Sequence, residues 1–108
     1  MNEVLLEEFR KLELRVAKIL DVQEIPGADR LWKLSIDVGA EKKDIVAGIK
    51  AHYSKESLMG RLIIVANNLS PATIRGVESR GMLLAAKDGP ALSLLTLDKE
   101  IPVGSVVS

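Results

Sequence analysis

Hydrogen-bond donors of the kind that could hold a polar partner are concentrated in one segment, residues 67–81. It carries Asn68, Arg75, Ser79 and Arg80 between two apolar runs. Guanidinium, amide and hydroxyl groups donate to phosphate oxygens and to sugar hydroxyls. The segment is therefore predicted to be a binding loop, and the alternative is a surface loop whose charges only keep the protein soluble.

The apolar runs on either side of this segment indicate adjacent strands. Leu62–Ala66 is too short for a stable helix, is rich in Ile and Val, and is followed by two asparagines and a Ser-Pro pair. The second run, 82–86, begins after Gly81 and ends near the turn pair Asp88-Gly89. A long connection without evident structure of its own is uncommon in a compact domain, and where it occurs it is usually functional or disordered. Apolar anchors and a proline in 67–81 favour an ordered loop.

Length, apolar fraction and charge limit the classes of protein to which the chain can belong. A chain of 108 residues is long enough for one domain with a core, so we expect a single domain over 1–108. The apolar fraction is 47% and the mean hydropathy +0.17, which indicates that some apolar surface is buried against a second copy. Fifteen basic and fifteen acidic residues give no net charge, so any nucleic-acid affinity must come from the distribution of charge.

Several chemistries are excluded by what the chain lacks. It has no cysteine and one histidine, so a thiolate metal site, a His-rich metal site and a Cys-His pair are ruled out. No Gly-rich phosphate loop is present. The sequence predicts a non-catalytic binding module without cofactor or metal. The absence of cysteine, of a long apolar run and of a basic leader before an apolar stretch favours a cytoplasmic protein that is not in a membrane.

The remaining elements follow from hydrophobic periodicity. Residues 3–11 read as a short amphipathic helix with an apolar stripe, residues 12–22 as a long strand with a bulge near Ile19, and residues 25–30 as a turn. Further strands are predicted at 31–38 and 44–47, and a short helix capped by Ser54 ends at Gly60.

This order predicts an all-β OB-fold, a five-stranded barrel with a short helix between strands three and four. Oligonucleotides bind OB-folds on strands two and three and on the loops joining strands one to two and four to five. Those loops are here residues 23–30 and 67–81. The N-terminal helix, 1–11, and an apolar C-terminal strand extension, 90–108, lie outside such a barrel and are the expected homodimer interface. For the helix, packing of its apolar stripe across one end of its own barrel is the alternative.

Several motifs, in order along the chain, resemble one family. They are LRVAKILDV, IPGADRLWKLSIDVG, VAGI, the Leu69-Ser70-Pro71 tripeptide and IRGVESRGMLLAA. Together they resemble the tRNA-binding domain found at the C-terminus of methionyl-tRNA synthetases, in free-standing dimeric tRNA-binding proteins and in the cytokine-like EMAP II polypeptide. The resemblance covers nearly the whole chain, and its most specific parts are residues 28–31 and 75–82.

The resemblance implies that the chain binds tRNA by shape, near the outer corner of the L and without demanding a particular sequence. It also implies a homodimer and a role in supplying extra tRNA affinity to methionyl-tRNA synthetase, whose catalytic subunit is a possible partner. The matching positions imply these tRNA contacts: Asn68, Arg75, Ser79, Arg80, Met82, Arg30 and Lys33. Met82 opens a predicted strand, so packing is the alternative role for it.

The chain differs from the family pattern at one place, and a second family with the same fold is the alternative. Many members carry a Lys-rich loop before the Arg-Gly pair, whereas this chain has residues 71–74 as Pro-Ala-Thr-Ile, which implies a weaker electrostatic contribution. CsaA-type export chaperones, which bind peptides, share the fold and the dimer. They tend to lack the Ser-x-Gly-Met signature that this chain keeps at 79–82.

Overall fold

The computed structural model describes residues 2–108, and most of its regular structure is β-strand. Met1, which falls in the predicted 1–11 segment, lies outside the described residues. In chain order the elements are α1 (Leu6–Phe9), β1 (Leu14–Ile25), β2 (Ala28–Asp37), β3 (Lys42–Ala47), α2 (Lys55–Leu58), β4 (Leu62–Ala66), β5 (Ala72–Ile74), β6 (Val77–Ser79), β7 (Met82–Leu83), β8 (Ala85–Asp88), β9 (Ala91–Leu94) and β10 (Val106–Val107). The first helix is thus shorter than the predicted 3–11.

One long strand, β1, organises the main sheet. The sheet runs β3-β2-β1-β4-β7, with β10 also paired to β1. β1 pairs antiparallel with β2 and β4, and its register with β2 shifts between Ile19 and Asp21, which places an extra residue there. The predicted bulge is therefore present, and it lets a single strand bend from one part of the sheet into another.

The core lies inside the curve of this sheet. Fully buried side chains from β1, β2, β3 and β4 meet there, and α2 covers them with Leu58, which is also fully buried. Burying one such Leu or Ile side chain contributes roughly 1.5–3 kcal/mol. Ser54 caps α2 by accepting a hydrogen bond from the Ser57 N–H at 3.2 Å, as predicted. Trp32 is buried, in keeping with its alternation with Leu34 and Ile36.

The all-β architecture with a short helix between the third and fourth strands is confirmed. The two outer strands of the sheet, β3 and β7, approach each other through the residues just before β7. There the Arg80 N–H donates to the Asp44 carbonyl at 3.0 Å. This contact brings the 67–81 segment against β3, so that parts of the chain far apart in sequence share one surface.

The prediction of a loop over residues 23–30 is wrong, because the connection is much shorter. β1 extends to Ile25 and β2 begins at Ala28, and these two residues pair, so the turn is Pro26-Gly27 alone. Gly27 adopts a φ of 78°, which permits this tight reversal. Glu24 pairs with Trp32, so residues 29–31 form a bulge at the start of β2.

The 67–81 segment is also more regular than expected. It contains a second small sheet, the β5–β6 hairpin, in which Ala72 pairs with Ser79 and Ile74 with Val77. The predicted strand 82–86 is divided, because Met82 and Leu83 pair with β4 whereas residues from Ala85 onward pair with β9. The chain changes partner there because the turn after Asp88 brings β9 back beside β8.

The predicted C-terminal extension packs on the sheet in two places. The β8–β9 hairpin is tied to the core side by Tyr53, whose hydroxyl accepts a hydrogen bond from the Leu94 N–H at 3.0 Å. That hydrogen bond lowers the pKa of Tyr53, because it stabilises the phenolate. β10 then pairs with the start of β1, Leu14 opposite Val107. The last residues of the chain line one hollow together with Phe9, so the C-terminus lies beside α1.

Candidate nucleic-acid interface

Arg75 lies at the tip of the β5–β6 hairpin. The hairpin has a two-residue loop, Arg75-Gly76, and both residues have positive φ, 52° and 80°. Two-residue hairpin loops with positive φ at both positions favour Asn-Gly or Gly-Gly, because other side chains are strained there. Arg75 is the sole non-glycine residue with positive φ among residues 2–108. An exposed arginine thus occupies a position whose backbone conformation favours asparagine or glycine.

The chain after this turn places its side chains alternately on two sides. Glu78 and Arg80 line a polar cleft, whereas Ser79 and Gly81 line an apolar pocket on the other side. This alternation is the period-two pattern of extended chain. One short stretch of backbone therefore separates two hollows of opposite character.

The polar cleft is rich in cations. Four basic side chains, Lys33, Lys42, Lys43 and Arg80, surround it, together with the carboxylates of Asp44 and Glu78. We call this group the basic cleft. Gly76 also lines it, so the Arg75 tip stands at its border. Lys33 and Arg80, predicted from sequence as ligands, are brought together here by β2 and by the segment after β6.

Two of these cations are partly neutralised on the surface. An Arg80 Nη1 to Glu41 Oε1 distance of 3.2 Å and a Lys33 Nζ to Asp44 Oδ2 distance of 3.7 Å define ion pairs. Both partners of the Arg80 pair are about half exposed, at 46% and 48%. Exposed pairs of this kind contribute about 0–1 kcal/mol, so an incoming phosphate can compete for the guanidinium at small cost.

Lys43 is held at the floor of the basic cleft. Its ammonium donates a hydrogen bond to the Asn67 carbonyl at 2.8 Å. Burial lowers the pKa of Lys43, and the nearby Arg80 charge adds to that effect while Glu41 opposes it. The cleft therefore contains a cation that is partly desolvated and would gain from a bound anion.

Ser79 is buried rather than displayed. Its side chain is 4% exposed, accepts a hydrogen bond from the Val46 N–H at 2.9 Å and donates to the Gly81 carbonyl at 3.2 Å. The first bond fastens the end of β6 to β3, and the second holds the chain that follows β6. Ser79 lines the apolar pocket, but its hydroxyl is already used inside the protein.

Replacing Ser79 by Ala is expected to lower the free energy of unfolding by about 1–3 kcal/mol, because the buried Val46 N–H loses its acceptor. Urea denaturation at fixed protein concentration measures this. The exposed Ser70→Ala variant should change stability by less than about 0.5 kcal/mol. Unchanged stability of Ser79→Ala would show that the hydroxyl is dispensable for folding.

Asn68 is likewise engaged within the protein. Its amide nitrogen donates to the Lys11 carbonyl at 2.7 Å, and its amide oxygen accepts from the Glu13 N–H at 2.8 Å. Asn68 thus ties the end of β4 to the chain between α1 and β1. Arg30 is exposed on the β2 bulge, outside the basic cleft.

Met82 lies at the opening of the apolar pocket and is 51% exposed. Leu69 and Ile74 form the neighbouring walls, and the volume is about 360 Å³. Met82 thus starts β7 and also presents a half-exposed side chain to solvent.

Two residues of the basic cleft were missed by sequence reasoning. The predicted third strand begins at residue 44, which leaves Lys42 and Lys43 outside it, whereas both belong to β3. Lys42 pairs with Asp37 and Asp44 with Ser35 across the β2–β3 hairpin. Extending the predicted third strand by two residues would have placed Lys42 on the same face as Lys33, because alternate residues share a face.

Comparison with known proteins identifies the family. Residues 14–106 match the family model described as "Putative tRNA binding domain". The chain belongs to this tRNA-binding family. The predicted resemblance is therefore confirmed, and as a member of a binding family the chain is a non-catalytic binding module.

Relatives of the chain include much longer proteins. It is 50% identical over 107 residues to the methionine–tRNA ligase of Thermotoga maritima, which is 99% of this chain and 17% of that protein. It is 47% identical over 107 residues to the enzyme of Pyrococcus furiosus, again 99% of this chain and 15% of that protein. The chain thus spans about a sixth of the length of these relatives.

Solved structures with the same fold include proteins of similar extent. The MetRS related protein from Pyrococcus horikoshii matches with a TM-score of 0.93 and 34% identity, covering 100% of both chains. The chaperone CsaA from Bacillus anthracis matches with a TM-score of 0.89 and 28% identity, covering 99% of this chain and 100% of that one. Within residues 2–108 no helix has the length and apolarity needed to cross a membrane.

Proposed function

We propose that this member of the tRNA-binding family is a cytoplasmic module that binds tRNA by the shape of its backbone, tolerates many tRNA sequences and adds tRNA affinity to methionyl-tRNA synthetase. The observation that carries the proposal is the basic cleft with Arg75 at its border. Four cations and only two carboxylates line it, on a protein whose net charge is zero. Contacts to phosphate and sugar position a protein on nucleic acid without reading sequence.

The composition of this surface favours phosphates and ribose hydroxyls over rows of stacked bases. Proteins that hold single strands use several aromatic side chains. This chain has one Trp, one Tyr and one Phe; Trp32 is buried, Tyr53 is half-buried and Phe9 lies on α1. Folded RNA is recognised largely through its shape, its phosphates and its 2′-hydroxyls, which suits lysine and arginine donors.

The seven predicted contact residues divide into two roles in this proposal. Arg75, Arg80 and Lys33 bind the RNA backbone at the basic cleft, and Arg30 and Met82 extend the contact surface. Asn68 and Ser79 act as positioning residues, because their polar atoms are hydrogen-bonded to Lys11, Glu13, Val46 and Gly81.

The proposed module works as a homodimer. Exposed apolar side chains cluster where the chain ends meet: Phe9 and Leu12 share a hollow of about 250 Å³ with Val106 and Val107. Val106 is 68% exposed, and Leu5 and Leu6 at the start of α1 are also exposed. An apolar patch of this kind on a small protein fits a two-fold contact with a second copy.

The proposed link to methionyl-tRNA synthetase draws on two comparisons. Methionine–tRNA ligases contain a segment similar to nearly the whole chain. The MetRS related protein, in contrast, matches over its full length. The module could therefore act as a fused part or as a separate subunit, and both arrangements would raise the local tRNA concentration at the enzyme.

A peptide-binding chaperone is the second candidate, favoured by the apolar pocket and by the similarity to CsaA. Four cations beside the pocket argue for a polyanion instead. The two candidates differ in preferred ligand: a tRNA module binds folded tRNA, whereas a chaperone binds an unfolded polypeptide.

Titration of the protein with folded tRNA across a salt series tests the proposal. Affinity should fall with a log–log slope of about 0.7–0.9 per neutralised phosphate. An unfolded polypeptide should compete poorly, and tRNAs of different sequence should bind with similar affinity. A salt-independent interaction, or efficient displacement of tRNA by the polypeptide, would contradict the tRNA assignment.

A further inference from the structure

The apolar pocket beside the basic cleft has no role in binding by shape alone. It lies between β3, the β5 strand and Met82, with Val46, Leu69, Ala72 and Ile74 among its walls. At about 360 Å³ it is at the small end of ligand pockets, which span roughly 300–1,000 Å³. It therefore suits a single flat ring better than a long chain.

We propose that this pocket takes one unstacked RNA base while the phosphates flanking that base lie on the basic cleft. The proposal rests on the proposed tRNA-binding function and adds a base subsite to it. Its geometric support is the alternation of 78–81, in which Glu78 and Arg80 line the cleft while Ser79 and Gly81 line the pocket. The two hollows are thus separated by one extended segment of backbone.

The charge of the basic cleft indicates which kind of ligand enters the neighbouring apolar pocket. A nucleotide joins a flat apolar ring to a negative charge. The surface here joins an apolar hollow to a cleft in which four cations outnumber the carboxylates of Asp44 and Glu78. An apolar side chain of a peptide would fill the pocket equally well, but the peptide would gain from the cations of the basic cleft only where it carries acidic residues, whereas every nucleotide carries a phosphate. Unpaired RNA loop bases can be splayed out and bound in this manner.

The walls of the pocket suit a base of any identity. Leu69, Ile74 and Met82 offer apolar contacts, and the thioether of an exposed methionine makes favourable contacts with aromatic rings. The Ser79 hydroxyl is engaged with Val46 and Gly81, so it does not select a base edge. The subsite is therefore expected to add affinity with little sequence preference, in agreement with a sequence-tolerant module.

Filling the pocket tests the proposal without changing charge. Ala72 is an exposed residue of β5 that lines the pocket, and Ala72→Leu should occupy it. Affinity for folded tRNA should fall roughly three- to tenfold, the size of a methionine–ring contact, with an unchanged salt slope. Ala86→Leu makes the same change at an exposed strand residue outside the cleft and the pocket, and should bind tRNA as the parent does.

Photo-crosslinking gives a direct readout. A tRNA transcript containing 4-thiouridine should crosslink the parent at a peptide that includes Leu69 or Met82, and this crosslink should be lost in Ala72→Leu and kept in Ala86→Leu. If the parent binds tRNA and the two variants bind and crosslink alike, the base subsite is wrong while the tRNA function stands. If Ala72→Leu loses only binding of an unfolded polypeptide, the pocket takes peptide side chains. Failure of the parent to bind tRNA at all would overturn the proposed function itself.

Discussion

Replacing Arg75 by Asn and Arg80 by Gln together is expected to weaken tRNA binding roughly 25- to 60-fold at about 0.1 M salt. Each lost phosphate contact lowers the log–log salt slope by about 0.7–0.9, which at that salt corresponds to a five- to eightfold loss of affinity. The loss should be similar for tRNAs of different sequence, because the contacts are to the backbone. Nitrocellulose-filter or fluorescence titration across a salt series measures both quantities.

The Arg75→Asn change alone should have opposite effects on folding and on binding. A non-glycine residue in the left-handed region costs roughly 1–2 kcal/mol, and asparagine tolerates that region better than arginine does. Arg75 has a φ of 52°. We therefore expect a higher free energy of unfolding together with weaker tRNA binding. Strain of this kind is retained at functional sites. A variant that is more stable and binds tRNA as tightly as the parent would therefore remove the main reason for proposing that Arg75 contacts RNA.

Two controls separate specific contacts from general charge. Glu41→Gln releases the Arg80 guanidinium from its 3.2 Å ion pair and should strengthen tRNA binding. Lys87→Gln removes a cation from β8, outside the basic cleft, and should leave the salt slope unchanged within error. If Lys87→Gln weakens binding as much as either arginine variant does, the interface does not lie at the basic cleft.

The strands of the main sheet could be predicted because their signals are local. Residues of β2 alternate between buried and partly exposed positions, and the slip in alternation near Ile19 marks the bulge in β1. Leu62–Ala66 has the same bounds in prediction and structure. In each case neighbouring residues along the chain carry the information, since a buried face imposes a period of two.

The β5–β6 hairpin could not be predicted from its residues. Its strands are three residues long, too short to show alternation, and its turn is Arg75-Gly76 in place of the usual Asn-Gly. The hairpin is held by a partner distant in sequence, since the Ser79 hydroxyl bonds to Val46, 33 residues away. A single sequence does not reveal such pairs.

For the candidate site, too, local features could be predicted from sequence and contacts between distant residues could not. The sequence located the segment that carries Arg75 and Arg80, because donors are concentrated there. It could not distinguish a donor directed at a ligand from one used internally, as with Asn68, whose partner Lys11 is 57 residues away. It also missed Lys42 and Lys43, whose contribution depends on the cross-strand register of β2 and β3.

Replacing Phe9 by Glu is expected to dissociate the proposed homodimer. Burying an aromatic or aliphatic side chain contributes roughly 1.5–3 kcal/mol, and in a two-fold interface each substitution occurs twice. The dimer dissociation constant should therefore rise at least about a hundredfold. Light scattering over a dilution series measures this change.

The folded protomer should tolerate the same substitution. Phe9 is 43% exposed on α1 and does not belong to the buried core, so near-native stability of the monomer is expected. Met59→Glu is the matched control, since Met59 is a similarly exposed apolar residue that follows α2. Dissociation by Met59→Glu but not by Phe9→Glu would place the contact beside α2 and remove α1 from the interface.

Because Asn68 joins the α1–β1 connection to the end of β4, loss of the partner should also loosen the neighbouring RNA-binding segment. Phe9→Glu should then weaken tRNA binding without changing the salt slope per protomer, whereas the arginine variants should reduce that slope.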